Sequence, residues 1–186
     1  MQTIEYIPPT TRRVARHAMT IALFAMLVLL GGCRSRSVHI PQPGDGAEFD
    51  IVETRNLSSE RRHLIEISRE WMGTPYKYAA SEKGRGTDCS GMVLEVYLEC
   101  LSLELPRNSA KQAEYCKKIS RKDVKPGDLV FFATGSDPEV VSHVGIMLDD
   151  DNFIHASSSK GVCISRLSNP YYTRTLRRFG RVPGLK

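Results

Sequence analysis

The chain has 186 residues, is 41% hydrophobic and 25% charged, and carries a formal net charge of +5. That is enough apolar material for one buried core and too little length for two, so one folded domain is expected. No lysine or arginine stripe with interleaved aromatic residues occurs, which argues against a nucleic-acid partner. With no Cys-x-x-Cys pair and no His-x-x-x-His helix, neither a metal nor another cofactor is expected.

Residues 1–32 read as a removable address. Arg12, Arg13 and Arg16 precede an apolar run from Ala18 to Leu30, 13 residues long. A spanning helix needs roughly 20, so this length fits the core of a signal peptide. The following Leu30-Gly31-Gly32-Cys33 resembles a bacterial lipobox, in which cleavage leaves the cysteine first and lipid is attached to it. Each buried acyl methylene adds about 0.8 kcal/mol, so Cys33 would tie the chain to a membrane. Arg34, where aspartate would act as a retention signal, points by Gram-negative sorting to the outer membrane, facing the periplasm. Loss of residues 1–32 removes three arginines and Glu5, leaving 23 basic and 20 acidic side chains, a net charge of +3. Residues 33–56 then form the lipidated cysteine and a tether, broken by Pro41, Pro43, Gly44 and Gly46.

The domain occupies residues 57–186. Ser58 and Ser59 can cap a helix with Leu64, Ile67, Ser68 and Trp71 at helical spacing, which ends before Gly73. After a loop with Tyr76 and Tyr78, Asp88 caps a second helix running to about Leu101, with Val93, Val96, Tyr97 and Cys100 inward. Pro106 and Asn108 open a third, to about Cys116. Beyond the Lys125–Asp128 turn the period changes: Leu129–Phe132, Val140–Leu148, Phe153–Ala156, Gly161–Arg166 and a stretch near Arg178–Val182 read as strands. Helices followed by close-set strands predict an α+β domain, its helices on one side of an antiparallel sheet. The basic tail, Arg174 to Lys186, reads as a solvated face. His63 has no partner in any pattern and is expected at the surface.

Within this frame Cys89, in Thr87-Asp88-Cys89-Ser90-Gly91, stands where the second helix begins; His143 and His155 lie on strands that a hairpin could join. A thiol, an imidazole beside it and a third polar group to orient that imidazole are what nucleophilic acyl chemistry requires. A helix N-terminus favours an anion by about 0.3–2 kcal/mol, or about 0.2–1.5 pKa units, too little alone to ionise a thiol near pH 7. His143 is therefore expected as the cationic partner of a thiolate, and His155 as the group that sets its tautomer. Backbone amides at the helix start would form an oxyanion hole, with Asp88 and Ser90 on the substrate or oxyanion side; Tyr76 reads equally as a further hydroxyl there or as a core or rim tyrosine. A one-residue slip in strand register would put the two histidines on opposite faces. Five cysteines do not make a complete disulfide framework: Cys100, three turns after Cys89, is expected to be a buried thiol, and pairing of Cys116 with Cys163 is left open.

The segments Gly73-Thr74-Pro75-Tyr76-Lys77-Tyr78, Asp88-Cys89-Ser90-Gly91, Leu105-Pro106-Arg107, Pro126-Gly127-Asp128-Leu129-Val130-Phe131-Phe132, Ser142-His143-Val144-Gly145-Ile146 and Phe153-Ile154-His155-Ala156-Ser157 together resemble the NlpC family of papain-like cell-wall peptidases. The resemblance implies a papain-like fold with five or six antiparallel strands and hydrolysis of peptide bonds in peptidoglycan stem peptides or cross-links. It also implies Cys89 as nucleophile, His143 as base, His155 as third residue, Tyr76 as active-site tyrosine and no metal. The chain looks like the family's single-domain lipoproteins, acting as a monomer on peptidoglycan, some of which cleave bonds between D-Ala and diaminopimelate. It departs at Ala79-Ala80, where relatives commonly carry two glycines, which predicts a differently shaped loop beside the nucleophile.

Overall fold

Capping residues set where the helices start. The computed structural model describes residues 57–186, so the apolar run, Cys33, His39 and the tether lie outside the described residues. Ser58 caps α1 (Ser59–Glu70) by accepting from the Arg61 amide at 3.3 Å. Asp88 caps α2 (Cys89–Leu101), and Asn108 caps α3 (Ser109–Tyr115) by accepting from two amides of its first turn. Between α1 and α2 lies a two-stranded hairpin, β1 (Ser81–Glu82) and β2 (Gly86–Thr87), which the sequence reading left as loop.

The main sheet comprises β3 (Lys117–Ile119), β4 (Leu129–Phe132), β5 (His143–Met147), β6 (Asn152–Ser157), β7 (Gly161–Arg166) and β8 (Leu176–Arg181). Its six strands run antiparallel in the order β3-β8-β4-β5-β6-β7. The central strand β4 is fully buried at all four residues. Leu129 and Phe131 join Val144, Ile146, Ile154 and Ala156 beneath α1 and α2, while Val130 and Phe132 join Met147, Phe153 and Phe179 on the other face. Helix α4 (Pro170–Thr175) covers this second face through Tyr172. The α+β, antiparallel expectation therefore holds with α1–α3 on one side, and a small second core is added behind the sheet.

Several boundaries moved. The strand expected from Val140 begins at His143; Val140 is half exposed and Ser142 instead binds the Thr134 and Gly135 amides at 2.8 and 2.9 Å. Strand β3 and helix α4 were not anticipated, because Lys117-Lys118-Ile119 and a six-residue helix are too short to show a period.

The basic tail is not merely solvated. Arg181 donates to Asp128 at 2.7 and 2.8 Å, and Arg61 of α1 reaches the same carboxylate at 3.2 Å. Arg61 also donates to the carbonyls of Pro126 and Lys186. The Pro126-Gly127-Asp128 turn is thus a buried clip joining the first helix, the turn before β4 and the last strand.

Candidate active site

Cys89 is the first residue of α2 and is 8% exposed. Its cap is unusually well held. Asp88 accepts at Oδ1 from the Gly91 amide (2.8 Å), Ser90 Oγ (3.0 Å) and Arg107 Nη1 (2.7 Å), and at Oδ2 from the Ala79 amide and Arg107 Nη2, both at 2.8 Å. The single Ser90 hydroxyl proton is shared between Asp88 and the Arg107 carbonyl, 2.9 Å away, and Gln112 donates to the carbonyls of Ser90 and Pro106. Burial works to raise the Asp88 pKa, but the bonds from Arg107, Gly91 and Ser90 outweigh it and hold the carboxyl below its usual value. Asp88 and Ser90, expected on the substrate or oxyanion side, are instead turned away from the cleft to brace the helix start. Gly91 lets this bracing close: a Cβ there would lie 2.4 Å from the Ala80 carbonyl oxygen.

Ala79 takes φ +59°. The loop thus keeps the left-handed turn that glycine would favour, at a cost of about 1–2 kcal/mol for a residue with a Cβ. Its amide bond to Asp88 holds it there.

The register brings the histidines to one face. In the β5–β6 ladder Ile146 opposes Ile154 and Met147 opposes Phe153. Alternation then puts His143, Gly145 and Met147 on the side of Phe153 and His155. Gly145 leaves the space between the two histidines open; a Cβ there would come within 3.3 Å of His155 Cβ and 2.7 Å of the Phe153 ring. His143 Nε2 and His155 Nδ1 lie 2.8 Å apart, with the rings nearly perpendicular. Beyond them, His155 Nε2 meets Ser165 Oγ at 2.9 Å and Tyr172 Oη at 3.2 Å. Ser165 and Tyr172 escaped the sequence reading because no motif marks a residue reached through two strands and a helix. Arg107 and Gln112 escaped it as well, although Leu105-Pro106-Arg107 had been singled out as a segment.

Cys89 lines the same cleft as the two histidines. Tyr76, Cys89, His143, His155, Lys160 and Tyr172 are among the residues that wall one cleft of about 540 Å³. Tyr76 is placed by a bridge to Thr87, the residue before the cap, and burial together with nearby Cys89 and Asp88 pushes its hydroxyl pKa up. Burial dominates at the thiol and pushes Cys89 up to about 11, against backbone hydrogen bonds from Val144, Ser90 and Cys89 itself, which favour the thiolate. Burial likewise pushes His143 down to about 4 and His155 down to about 3. The backbone amides near the sulfur favour the thiolate as expected, while burial opposes charge on both the thiol and the imidazole. Desolvation outweighs the partial charge of the helix start.

The remaining cysteines among the described residues are free. Cys116 is buried, Cys163 is half-buried on the cleft wall beside His155, and Cys100 is half-buried rather than fully enclosed. His63 is at the surface, 3.7 Å from Glu66. Among the described residues no group of three or more His, Cys, Asp or Glu side chains is arranged to hold a metal ion.

A model of the NlpC/P60 family matches residues 73–181, a span containing Tyr76, Cys89, His143 and His155. The chain is 33% identical over 175 residues to the murein DD-endopeptidase MepS/murein LD-carboxypeptidase of Escherichia coli K12, covering 87% of this chain and 90% of that protein. It is 40% identical over 119 residues to a probable endopeptidase of Haemophilus influenzae, covering 64% and 73% respectively. Among solved structures, an NlpC/P60 family protein from Bacillus cereus superposes with a TM-score of 0.62 at 29% identity; the match covers 68% of this chain but 40% of that one. With matched residues spanning more than half its length and two curated relatives above 30% identity, the chain belongs to the NlpC/P60 family.

Proposed function

We propose that the protein is a cysteine endopeptidase of the bacterial cell envelope that hydrolyses peptide bonds in peptidoglycan stem peptides or cross-links. The observation that carries this reading is the hydrogen-bonded line from His143 through His155 to Ser165 on the wall of a cleft that Cys89 also lines, of a volume that suits a peptide. The names of the E. coli and H. influenzae relatives support the same reaction class and, for the former, the murein substrate.

The ring nitrogens define the proton route. His143 Nε2 is taken up by His155, so Nδ1 is the nitrogen left to accept the thiol proton. His143 then carries its own proton on Nε2 and donates it to His155 Nδ1, and His155 donates from Nε2 to Ser165 Oγ. As the sulfur attacks the scissile carbonyl carbon, its proton passes to His143 Nδ1. The Cys89 amide and the Tyr76 hydroxyl stabilise the oxyanion. Collapse of the tetrahedral intermediate expels the amine, which takes the proton from His143 and leaves a thioester on Cys89. Water, deprotonated by His143, attacks that thioester and releases the new carboxylate and the free thiol. Asp88, Ser90 and Arg107 position the nucleophile without touching substrate.

The N-terminal motif supports a lipid anchor, with residues 1–32 removed, Cys33 acylated and residues 34–56 letting the domain reach the wall from the outer membrane. Metabolic labelling with palmitate tests this: label should enter the wild type and be lost in Cys33→Ala.

Incubating the purified full chain with isolated peptidoglycan tests the reaction. New muropeptides should appear, be identified by mass, and vanish in Cys89→Ala. Binding without any product from the wild type would sink the peptidase reading.

A further inference from the structure

The cleft has an uneven charge. Among the described residues that line it there is no aspartate or glutamate, and with both histidines neutral the one formal charge belongs to Lys160. Lys160 is exposed and makes no ion pair among the described residues. Other lysines of the domain also lack ion pairs, but Lys160 is the one that lines the cleft shared with Cys89. An unpaired ammonium at the rim of an otherwise uncharged, hydroxyl-rich cleft offers an anion its strongest attraction there.

Its backbone is also held in place. Lys160 closes the turn between β6 and β7, whose last paired residues are Ser157 and Gly161. Two residues on, Val162 exchanges backbone hydrogen bonds with Gly73 and Thr74, at 2.9 and 2.8 Å. That segment runs directly into Tyr76 on the cleft wall. These bonds tie the end of the turn to the cleft wall, which lowers the ordering cost for a ligand group that meets Lys160. The charge reaches the catalytic face, since it helps to lower His155 and Cys163.

We infer that Lys160 is a carboxylate anchor that makes the cleft prefer peptides bearing a free carboxylate next to the scissile bond; this rests on the peptidase reading above. Diaminopimelate fits that requirement. It has two carboxyl groups, and one stays free on the carbon whose amine is acylated in a cross-link. Amidation of that carboxylate removes the charge and leaves the scissile bond intact.

The test uses two synthetic cross-linked peptides, identical except that one carries the free carboxylate and the other the carboxamide. The wild-type full chain should cut the acid with a kcat/KM about 5–10-fold higher, mainly through KM, a modest ratio because one partner is solvent-exposed. Lys160→Gln should bring the ratio within about twofold while still cutting the amide, and Lys160→Arg should keep the preference. Equal rates on both peptides in the wild type, or an unchanged preference in Lys160→Gln, would overturn the anchor and leave the peptidase reading standing. If neither peptide is cut, the peptidase reading falls and takes the anchor with it.

Discussion

Two buried aspartates, each bound by arginine, do different work in this domain. Asp128 is 0% exposed and is gripped by Arg61 from α1 and Arg181 from β8, far apart in sequence. Asp88 is 7% exposed and is gripped by Arg107, yet it also accepts from three groups within the loop and the first turn beside Cys89. The first pair ties distant elements into a frame; the second sets the angle at which one helix begins. Identical chemistry thus yields a stability element in one place and a positioning element in the other. The difference lies in what else the carboxylate touches.

The comparison can be broken most forcefully at Asp128. Asp128→Ala leaves two arginines without their counter-charge, and a half-emptied buried pair costs about 3–5 kcal/mol. The melting temperature should fall by about 10 °C, while activity per folded molecule stays within about twofold. Loss of activity in the still-folded fraction would show that the two clusters are not separable. Asp88→Ala should do the reverse: a stability loss of about 1–2 kcal/mol from the missing cap, and at least a 100-fold fall in kcat/KM as the thiol loses its placement. Iodoacetamide labelling of Cys89, followed against the melting curve, separates the two effects.

A third measurement sharpens the claim that burial, not the helix start, sets the charge state of Cys89. The folded pKa of His143 is depressed, so activity should be flat through neutrality and fall about tenfold per unit as pH drops below about 4, where His143 takes a proton. On the alkaline side it should fall above about 11, where Cys89 has lost its proton and His143 has none to return. The same depression makes the fold lose stability as pH falls from the ordinary histidine value of 6.5 towards about 4 and 3, because the unfolded chain binds those protons first. A plateau ending near pH 6 would mean that His143 is less sheltered than its surroundings suggest. The smallest effect is expected at the loop that Asp88 holds: Ala79→Gly should raise the melting temperature by about 2–3 °C, the gain from relieving a φ of +59°, with kcat/KM unchanged.

How much of this could be read beforehand depended on the range of the interaction. The caps at Ser58, Asp88 and Asn108 act on amides two or three residues on, so their helix starts were legible. The run Leu129–Phe132 announced a strand by composition, but not that both its faces are covered, since nothing in four apolar residues distinguishes one buried face from two. Asp88 was recognised as a cap and its second role was missed, because Arg107 arrives from 19 residues away. The sequence neighbours of Arg181 suggest a solvated cation, whereas its partner Asp128 lies 53 residues back.

The sequence by itself determined the parts: a capped thiol at Cys89 and two histidines on strands that a hairpin could join. These follow from local hydrogen bonding and side-chain period, which neighbouring residues specify. Only the tertiary structure decided that His143 and His155 share a face at 2.8 Å, that Ser165 and Tyr172 stand behind them, and that burial opposes charge on both the thiol and the imidazole. Register and desolvation are properties of packed surfaces, and they exist only once strands and helices from distant parts of the chain have closed over the site.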